Sequence, residues 1–236
     1  MKPTRNNVLT VSVLSLMLLS CGGDSSGDSS GSTVINGVTY KLTFKSDWNA
    51  TNFPTNYPSG SAHFSPLIGM THNASASLFS TGKLATSGVE IVAEAGSTNS
   101  IKSEIGNIQN LGFSQSLIEG GDLPNGQTQV EVTFSLDEDF SLVSVITMVA
   151  PSPDWFVGVD SLNLFQNGQW VDELVVELKT YDAGTDDGVS FTSGNADTSP
   201  KENITLLTSA ASDTDFSNGV HRSSGQHIGT FTFKRQ

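Results

Sequence analysis

The fold class of this chain is decided by the stretch Val38-Thr-Tyr-Lys-Leu-Thr-Phe-Lys45, in which apolar side chains alternate with threonine and lysine. Alternation with a period of two predicts a β-strand with one buried face. Val130-Glu-Val-Thr-Phe-Ser-Leu136 repeats the pattern, and the apolar run Leu142 to Val149 suits an inner strand. Asp137-Glu-Asp139 stands between these two segments. We therefore expect them to form a hairpin.

Further strands and two short helices complete the pattern. Strands are predicted at Val157 to Phe165, Leu174 to Leu178 and Ile228 to Phe233, with turns at Gly168 and around Gly184 to Gly188. Ser87-Gly-Val-Glu90 matches a capping box for a helix that stops at Gly96, and Ile101 to Ile108 has helical spacing. Because strands predominate and helices are few, we expect a mostly β protein, an antiparallel β-sandwich with one or two short helical inserts.

The first 33 residues are predicted to be a targeting signal followed by a flexible tether. Lys2 and Arg5 precede an apolar stretch that is too short for a transmembrane helix, which predicts a signal peptide over residues 1–20. Leu18-Leu-Ser-Cys21 resembles the bacterial lipobox, so Cys21 is expected to carry the lipid. Residues 21–33 would form a Gly/Ser/Asp tether that spans about 20 Å as a random coil. The folded domain is predicted over residues 34–236. The protein is expected to be a lipoprotein of the cell envelope, with this domain facing the periplasm or the cell surface. Gly22, directly after Cys21, favours the outer membrane.

The charge balance excludes one class of partner. The chain carries a net charge of −13, and removal of Lys2 and Arg5 with the signal peptide leaves nine basic and 24 acidic residues, a net charge of −15. A chain this acidic and without a basic stripe is not expected to bind nucleic acid. Cys21 is the only cysteine, so the domain has no internal disulfide.

Two aspartate-bearing loops predict a calcium site. Asp154 lies in Pro151-Ser-Pro-Asp-Trp-Phe-Val-Gly158, and Asp182 and Asp186 lie in Tyr181-Asp-Ala-Gly-Thr-Asp-Asp-Gly188. Carboxylates on neighbouring loops repel one another unless a cation lies between them, and calcium prefers such oxygen ligands. The spacing does not fit the helix-loop-helix calcium motif. The alternative is that these are ordinary Asp-Gly turns, in which aspartate bonds its own backbone. Asp187 fits either interpretation, and Asp160 is placed at a strand edge.

Four segments resemble successive blocks of one family. They are His63-Phe-Ser-Pro-Leu-Ile-Gly-Met-Thr-His-Asn73, Ala85-Thr-Ser-Gly-Val-Glu-Ile-Val-Ala-Glu-Ala-Gly96, Pro151 to Gly158 and Asp182 to Gly188. In order and approximate spacing they are similar to the spondin N-terminal domain. The resemblance implies a β-sandwich similar to C2 domains, found in secreted matrix and adhesion proteins, with calcium held by Asp154, Asp182 and Asp186. This chain lacks the cysteines and thrombospondin-type repeats of the animal proteins, so their receptors do not carry over.

The predicted lipid attachment at Cys21 and the resemblance to the spondin family together indicate a function. We expect a membrane-anchored, calcium-binding adhesion module, not an enzyme, whose partner is a protein or a glycan. One alternative is a secreted metal-dependent hydrolase, which predicts a concave pocket beside Asp154 and Asp182. Another is a structural envelope lipoprotein.

Two weaker candidate sites remain open. A zinc site would use His63 and His72. A glycan-binding face would use the aromatic residues, which are more often core or rim anchors. These aromatic residues are Trp48, Trp155, Trp170, Tyr40, Tyr57 and Tyr181.

Overall fold

The computed structural model describes residues 37–54, 57–207 and 227–236. The predicted signal peptide, Cys21 and the tether lie outside the described residues. The strands are β1 Val38–Ser46, β2 His63–Phe64, β3 Ile68–His72, β4 Ser114–Glu119, β5 Gln129–Leu136, β6 Leu142–Ala150, β7 Trp155–Asn163, β8 Phe165–Gln166, β9 Gln169–Trp170, β10 Glu173–Leu178, β11 Thr180–Asp182, β12 Thr205–Leu206 and β13 Gly229–Arg235. The helices are α1 Ser87–Ala95 and α2 Asn99–Asn110, with a 3₁₀ turn at Glu138–Phe140.

The first sheet has four antiparallel strands in the order β10-β13-β1-β5. The alternating stretch that opens the domain becomes β1, a central strand that pairs with β13 on one side and β5 on the other. Tyr40, Leu42 and Phe44 are fully buried, whereas Thr39, Lys41 and Thr43 lie on the other face. One face of this sheet therefore supplies half of the main core, as the alternation predicts.

The second sheet follows the order β12-β11-β7-β6-β3-β4, with β2 added beside β6. Val143, Val145 and Val157 face the first sheet in the main core. Ile146 and Phe156 belong to a second apolar cluster, which α1 and α2 share. Because the strands of this sheet are covered by the other sheet on one face and by helices on the opposite face, β3 and β6 are buried along almost their whole length. The prediction of an antiparallel β-sandwich with two helical inserts is confirmed.

Both helices form where the sequence predicts them, but α1 begins with a different cap. The hydroxyl of Thr86, not Ser87, accepts the hydrogen bond from the Val89 amide. Thr86 has an extended backbone and so occupies the cap position, which moves the predicted capping box by one residue. The stop is as predicted, because Gly96 adopts the left-handed conformation with φ of 65°.

The predicted hairpin between residues 130–136 and 142–149 is wrong. β5 pairs with β1 in the first sheet, whereas β6 pairs with β3 and β7 in the second. The carboxylate of Asp137 accepts the amides of Asp139 and Phe140, so the connection is a capped 3₁₀ turn that carries the chain between sheets. The predicted strand Val157 to Phe165 also differs, since β7 begins at Trp155 and ends at Asn163.

The turn predicted at Gly168 is confirmed. Asn167 and Gly168 have φ of 54° and 76° between β8 and β9. In the described part of the chain, none of the helices is both long and apolar enough to span a bilayer.

Candidate metal site

Strand pairing brings the two aspartate loops together. β7 and β11 are antiparallel, with Asp182 opposite Trp155, so the residue before Trp155 lies beside the residues that follow Asp182. The Ala183 amide donates to the Asp154 carbonyl at 3.1 Å, which fixes the two backbones at this point. Asp154 is thus adjacent to the Asp182–Asp186 loop, as the sequence analysis requires.

Asp154 is the most unusual ionisable group of the site, because its side chain is completely buried. Oδ2 accepts from the Thr185 amide at 2.7 Å and, more weakly, from the Thr185 hydroxyl and the Asp186 amide, both at 3.3 Å. Oδ1 is buried and has no hydrogen-bond partner. Burial, and then the negative charge of Asp182, raise the pKa of Asp154 from 3.8 to about 7. An ionised, half-satisfied carboxylate at this depth is unfavourable unless a cation compensates it.

Asp182 and Asp186 both bond their own loop. Oδ1 of Asp182 accepts from the Gly184 amide at 2.8 Å, and Oδ1 of Asp186 accepts from the Gly188 amide at 2.7 Å. These are the aspartate turns of the alternative interpretation. Their charges nonetheless reach Asp154, because both raise its pKa. The loop therefore combines ordinary turn chemistry with a concentration of negative charge.

The two glycines of this loop are needed for different reasons. Gly184 has φ of 72°, a left-handed conformation that disfavours a side chain. Gly188 does not have a positive φ, but a Cβ there would lie 2.8 Å from Pro153 Cγ and 2.9 Å from Asp186 Oδ1. Gly188 thus allows the two aspartate loops to approach each other.

Glu94 is a fourth carboxylate near this loop that the sequence analysis missed. It lies near the end of α1, close to Thr185, and its Oε1 is buried without a hydrogen-bond partner. Burial raises the pKa of Glu94, the nearby Thr185 hydroxyl opposes this, and the charges of Glu90, Asp186 and Asp154 add to the rise. The buried residues of α1 are Gly88, Val89, Val92 and Ala93, so the helical pattern gave no signal that Glu94 would face the aspartate loop.

The carboxylates form a group of charges, not a closed coordination shell. Within residues 37–54, 57–207 and 227–236, no three histidine, cysteine, aspartate or glutamate side chains are grouped closely enough to hold a metal ion. The buried, unpartnered oxygen of Asp154 and the all-oxygen donor set fit a hard cation such as calcium. The amide bonds of Asp182 and Asp186 leave lone pairs on both carboxylates, so these bonds alone do not prevent either side chain from binding a cation.

Asp187 and Asp160 have separate roles. Asp187 accepts a hydrogen bond from the Thr198 hydroxyl at 2.5 Å, which makes it part of the turn. Asp160 lies in β7 and accepts hydrogen bonds from the Leu78 amide and the Ser144 hydroxyl. Asp160 therefore links β7 to β6 and to the segment at Leu78, beyond its predicted position at a strand edge.

Neither weaker site is assembled. His63 is exposed and bonds the Ser61 carbonyl at 2.7 Å, whereas His72 is buried and bonds Ser144, so the two histidines do not share a zinc site. The six aromatic residues are buried or half-buried against the two cores, so they do not form an exposed glycan-binding face.

The hydrolase alternative predicts a pocket that the described grooves do not provide. An open groove of about 260 Å³ is lined by residues of β7, β10, β11 and β12, among them Asp160 and Tyr181. Neither Asp154 nor Asp182 lines it.

Comparison with known proteins connects this fold and these loops to one family. A family model described as Spondin_N matches residues 38–229. Spondin-2 from Rattus norvegicus is 33% identical over 151 residues, which cover 64% of this chain and 46% of that protein. Spondin-2 from Homo sapiens matches to the same extent. Spondin-1 from Gallus gallus is 35% identical over 152 residues, covering 62% of this chain and 19% of that protein.

The chain therefore matches less than half of the length of these curated relatives. The family match, in contrast, covers every strand except most of β13, both helices and both aspartate loops. This chain belongs to the spondin N-terminal domain family.

Proposed function

We propose that this protein is a calcium-binding interaction module, tethered to the cell envelope through Cys21, that contacts a protein or glycan partner. The observation that carries the proposal is the carboxylate of Asp154, which is completely buried and has an oxygen without a hydrogen-bond partner. Membership of the spondin family supports an extracellular adhesion or interaction role. The contact with a protein or glycan partner and the attachment through Cys21 are also proposals.

Asp154, Asp182 and Asp186 would hold the ion, with Glu94 adding negative potential from the helix side. Calcium would supply the positive charge that these buried and crowded carboxylates need. The chain's contribution is a rigid base, because Asp154 is anchored by the Thr185 amide and by the pairing of β7 with β11. The expected result is a fixed relative position of the two loops, which would present a defined surface to the partner.

Thermal unfolding with calcium and with chelator tests the metal part. Extracellular modules bind calcium with Kd of about 10⁻⁴ to 10⁻³ M. At a hundredfold excess over Kd, binding stabilises the folded state by about 2.7 kcal/mol. For a domain of this size we expect Tm to rise by about 5–11 °C. Identical Tm values in chelator and in about 10 mM calcium would refute the site.

Two further experiments test the anchor and the partner. Incorporation of a labelled fatty acid should depend on Cys21 and be lost in Cys21→Ser. Capture from envelope extracts should be lost both in chelator and in Asp154→Asn. Capture that survives in both would separate partner binding from calcium.

A further inference from the structure

A second buried polar group lies in the helix-covered sheet, apart from the aspartate loops. His72, at the end of β3, and Ser144, on β6, are both fully buried. His72 Nδ1 lies 2.8 Å from the Asn73 carbonyl oxygen, and Nε2 lies 2.7 Å from Ser144 Oγ. A carbonyl oxygen only accepts hydrogen bonds, so Nδ1 carries a proton.

The hydroxyl of Ser144 determines the state of the other ring nitrogen. Ser144 Oγ accepts the Ser161 amide at 2.9 Å and lies 2.8 Å from Asp160 Oδ1, to which it donates. A hydroxyl has one proton to donate. Since that proton goes to Asp160, the contact with His72 is satisfied only when Nε2 donates as well.

The opposite assignment fails at Asp160. Oδ1 of Asp160 accepts from the Leu78 amide at 2.6 Å and from the Phe79 amide at 3.3 Å. Oδ2 accepts from the Ser161 hydroxyl at 2.8 Å and lies 2.9 Å from the Ser77 hydroxyl. An oxygen surrounded by donors acts as an ionised acceptor. If Ser144 donated to a neutral His72, two oxygens would lie 2.8 Å apart with no proton between them.

We propose that His72 is held as a buried imidazolium, paired with ionised Asp160 through the hydroxyl of Ser144. This relay, which consists of His72, Ser144 and Asp160, anchors the segment 77–79, because the amides of Leu78 and Phe79 donate to the Asp160 carboxylate. Both side chains belong to the apolar cluster under α1. Docking of this segment is therefore proton-dependent, since removing the second ring proton takes away the donor to Ser144.

The other charged groups on the elements packed against β3 lie on α2, on β4 and in the 3₁₀ turn. Lys102 pairs with Glu119, Glu104 bonds the start of α1, and Asp137 caps the 3₁₀ turn. Glu138 and Asp139 lie in that turn. None of them is hydrogen-bonded to His72 in the described residues. This leaves Asp160 as the carboxylate connected to the ring.

Nitrogen NMR of the histidine rings in the intact folded protein tests the proposal. At about pH 8 an ordinary histidine, with pKa of about 6.5, is neutral and shows one protonated and one bare ring nitrogen. His72 is expected to show two protonated ring nitrogens at this pH. A bare ring nitrogen on His72 in the folded wild-type protein would overturn the proposal.

Three variants locate the charge. Asp160→Asn removes the negative partner, and Ser144→Ala removes the bridge, so each should leave His72 with one ring proton at the same pH. Ser77→Ala is the matched control, because it deletes another hydroxyl near Asp160 but leaves the path through Ser144 intact. Retention of both protons in Asp160→Asn or Ser144→Ala would contradict the relay, as would loss of one in Ser77→Ala.

Discussion

Replacing Asp154 by asparagine tests whether a buried negative charge is the central feature of the metal site. The pKa of Asp154 is raised from 3.8 to about 7, chiefly by burial. The folded state thus holds the proton more tightly than the unfolded state does. Without calcium, the free energy of unfolding should fall as the pH rises from about 4 to about 7. The full difference between the two pKa values corresponds to about 4 kcal/mol.

In chelator at about pH 8, Asp154→Asn should be more stable than the wild type. The amide oxygen can keep the bonds from Thr185, but the amide nitrogen replaces an oxygen that has no partner, which costs about 1–3 kcal/mol. The net gain is about 1–3 kcal/mol, or about 2–12 °C in Tm. At about pH 4, where Asp154 is neutral, only the cost of the amide nitrogen remains, so the variant should be no more stable than the wild type and up to about 3 kcal/mol less stable.

Calcium should affect the two proteins differently. Wild-type Tm should rise with calcium at about pH 8, and the Tm of Asp154→Asn should not. Asp197→Asn is the matched control, since it removes an exposed carboxylate from the neighbouring segment that pairs with Asp186 and should change stability by less than about 0.5 kcal/mol. If Asp154→Asn were less stable than the wild type in chelator at pH 8, the assignment of a costly buried charge would be refuted.

Three further substitutions test other parts of the structure. Glu94→Gln should weaken calcium binding about 10-fold by calorimetry, whereas Glu90→Gln, one turn earlier, should not; equal effects would exclude a specific role for Glu94. Gly158→Ala should lower the free energy of unfolding in urea by about 3 kcal/mol or more, because its Cβ would lie 2.3 Å from the Val145 carbonyl oxygen, whereas Gly106→Ala in α2 meets nothing within 4 Å and should be neutral or stabilising. Thr86→Ala should cost about 1 kcal/mol and Ser87→Ala much less, and the reverse order would restore the cap predicted from sequence.

Sequence periodicity predicted strands well but their partners poorly. The strand at residues 38–45 was predictable because one face is buried and the other is partly exposed to solvent, which produces the alternating sequence. The hairpin failed because alternation carries no information about which strand lies alongside. Leu136 and Val143 both enter the core between the sheets, yet they do so from opposite sheets. The short, acidic connection is compatible with a hairpin and with a crossing, and only tertiary packing selects the crossing.

The site was predictable only in part for a related reason. Asp154 and Asp182 could be placed near each other because each follows or precedes a predicted strand at a loop. The burial of Asp154 could not be predicted from the sequence, since it depends on how Thr185 and Asp186 fold over the carboxylate. Glu94 was missed because α1 must first dock on the sheet before its last turn meets Thr185.

The position of Glu94 gives the metal proposal a consequence for the helical layer. α1 has no basic residue in its last turn, where the helix carries a partial negative charge. A carboxylate at this end, beside the charge of Asp154, is doubly unfavourable until a cation offsets it. Calcium should therefore slow hydrogen exchange of the α1 amides whose bonds close the last turn, including that of Gly96 to the Val92 carbonyl. The protection should disappear in Asp154→Asn and persist in Asp197→Asn. If calcium protected only the loop amides of Thr185 and Asp186, the ion would order the loops without tying α1 to the sandwich.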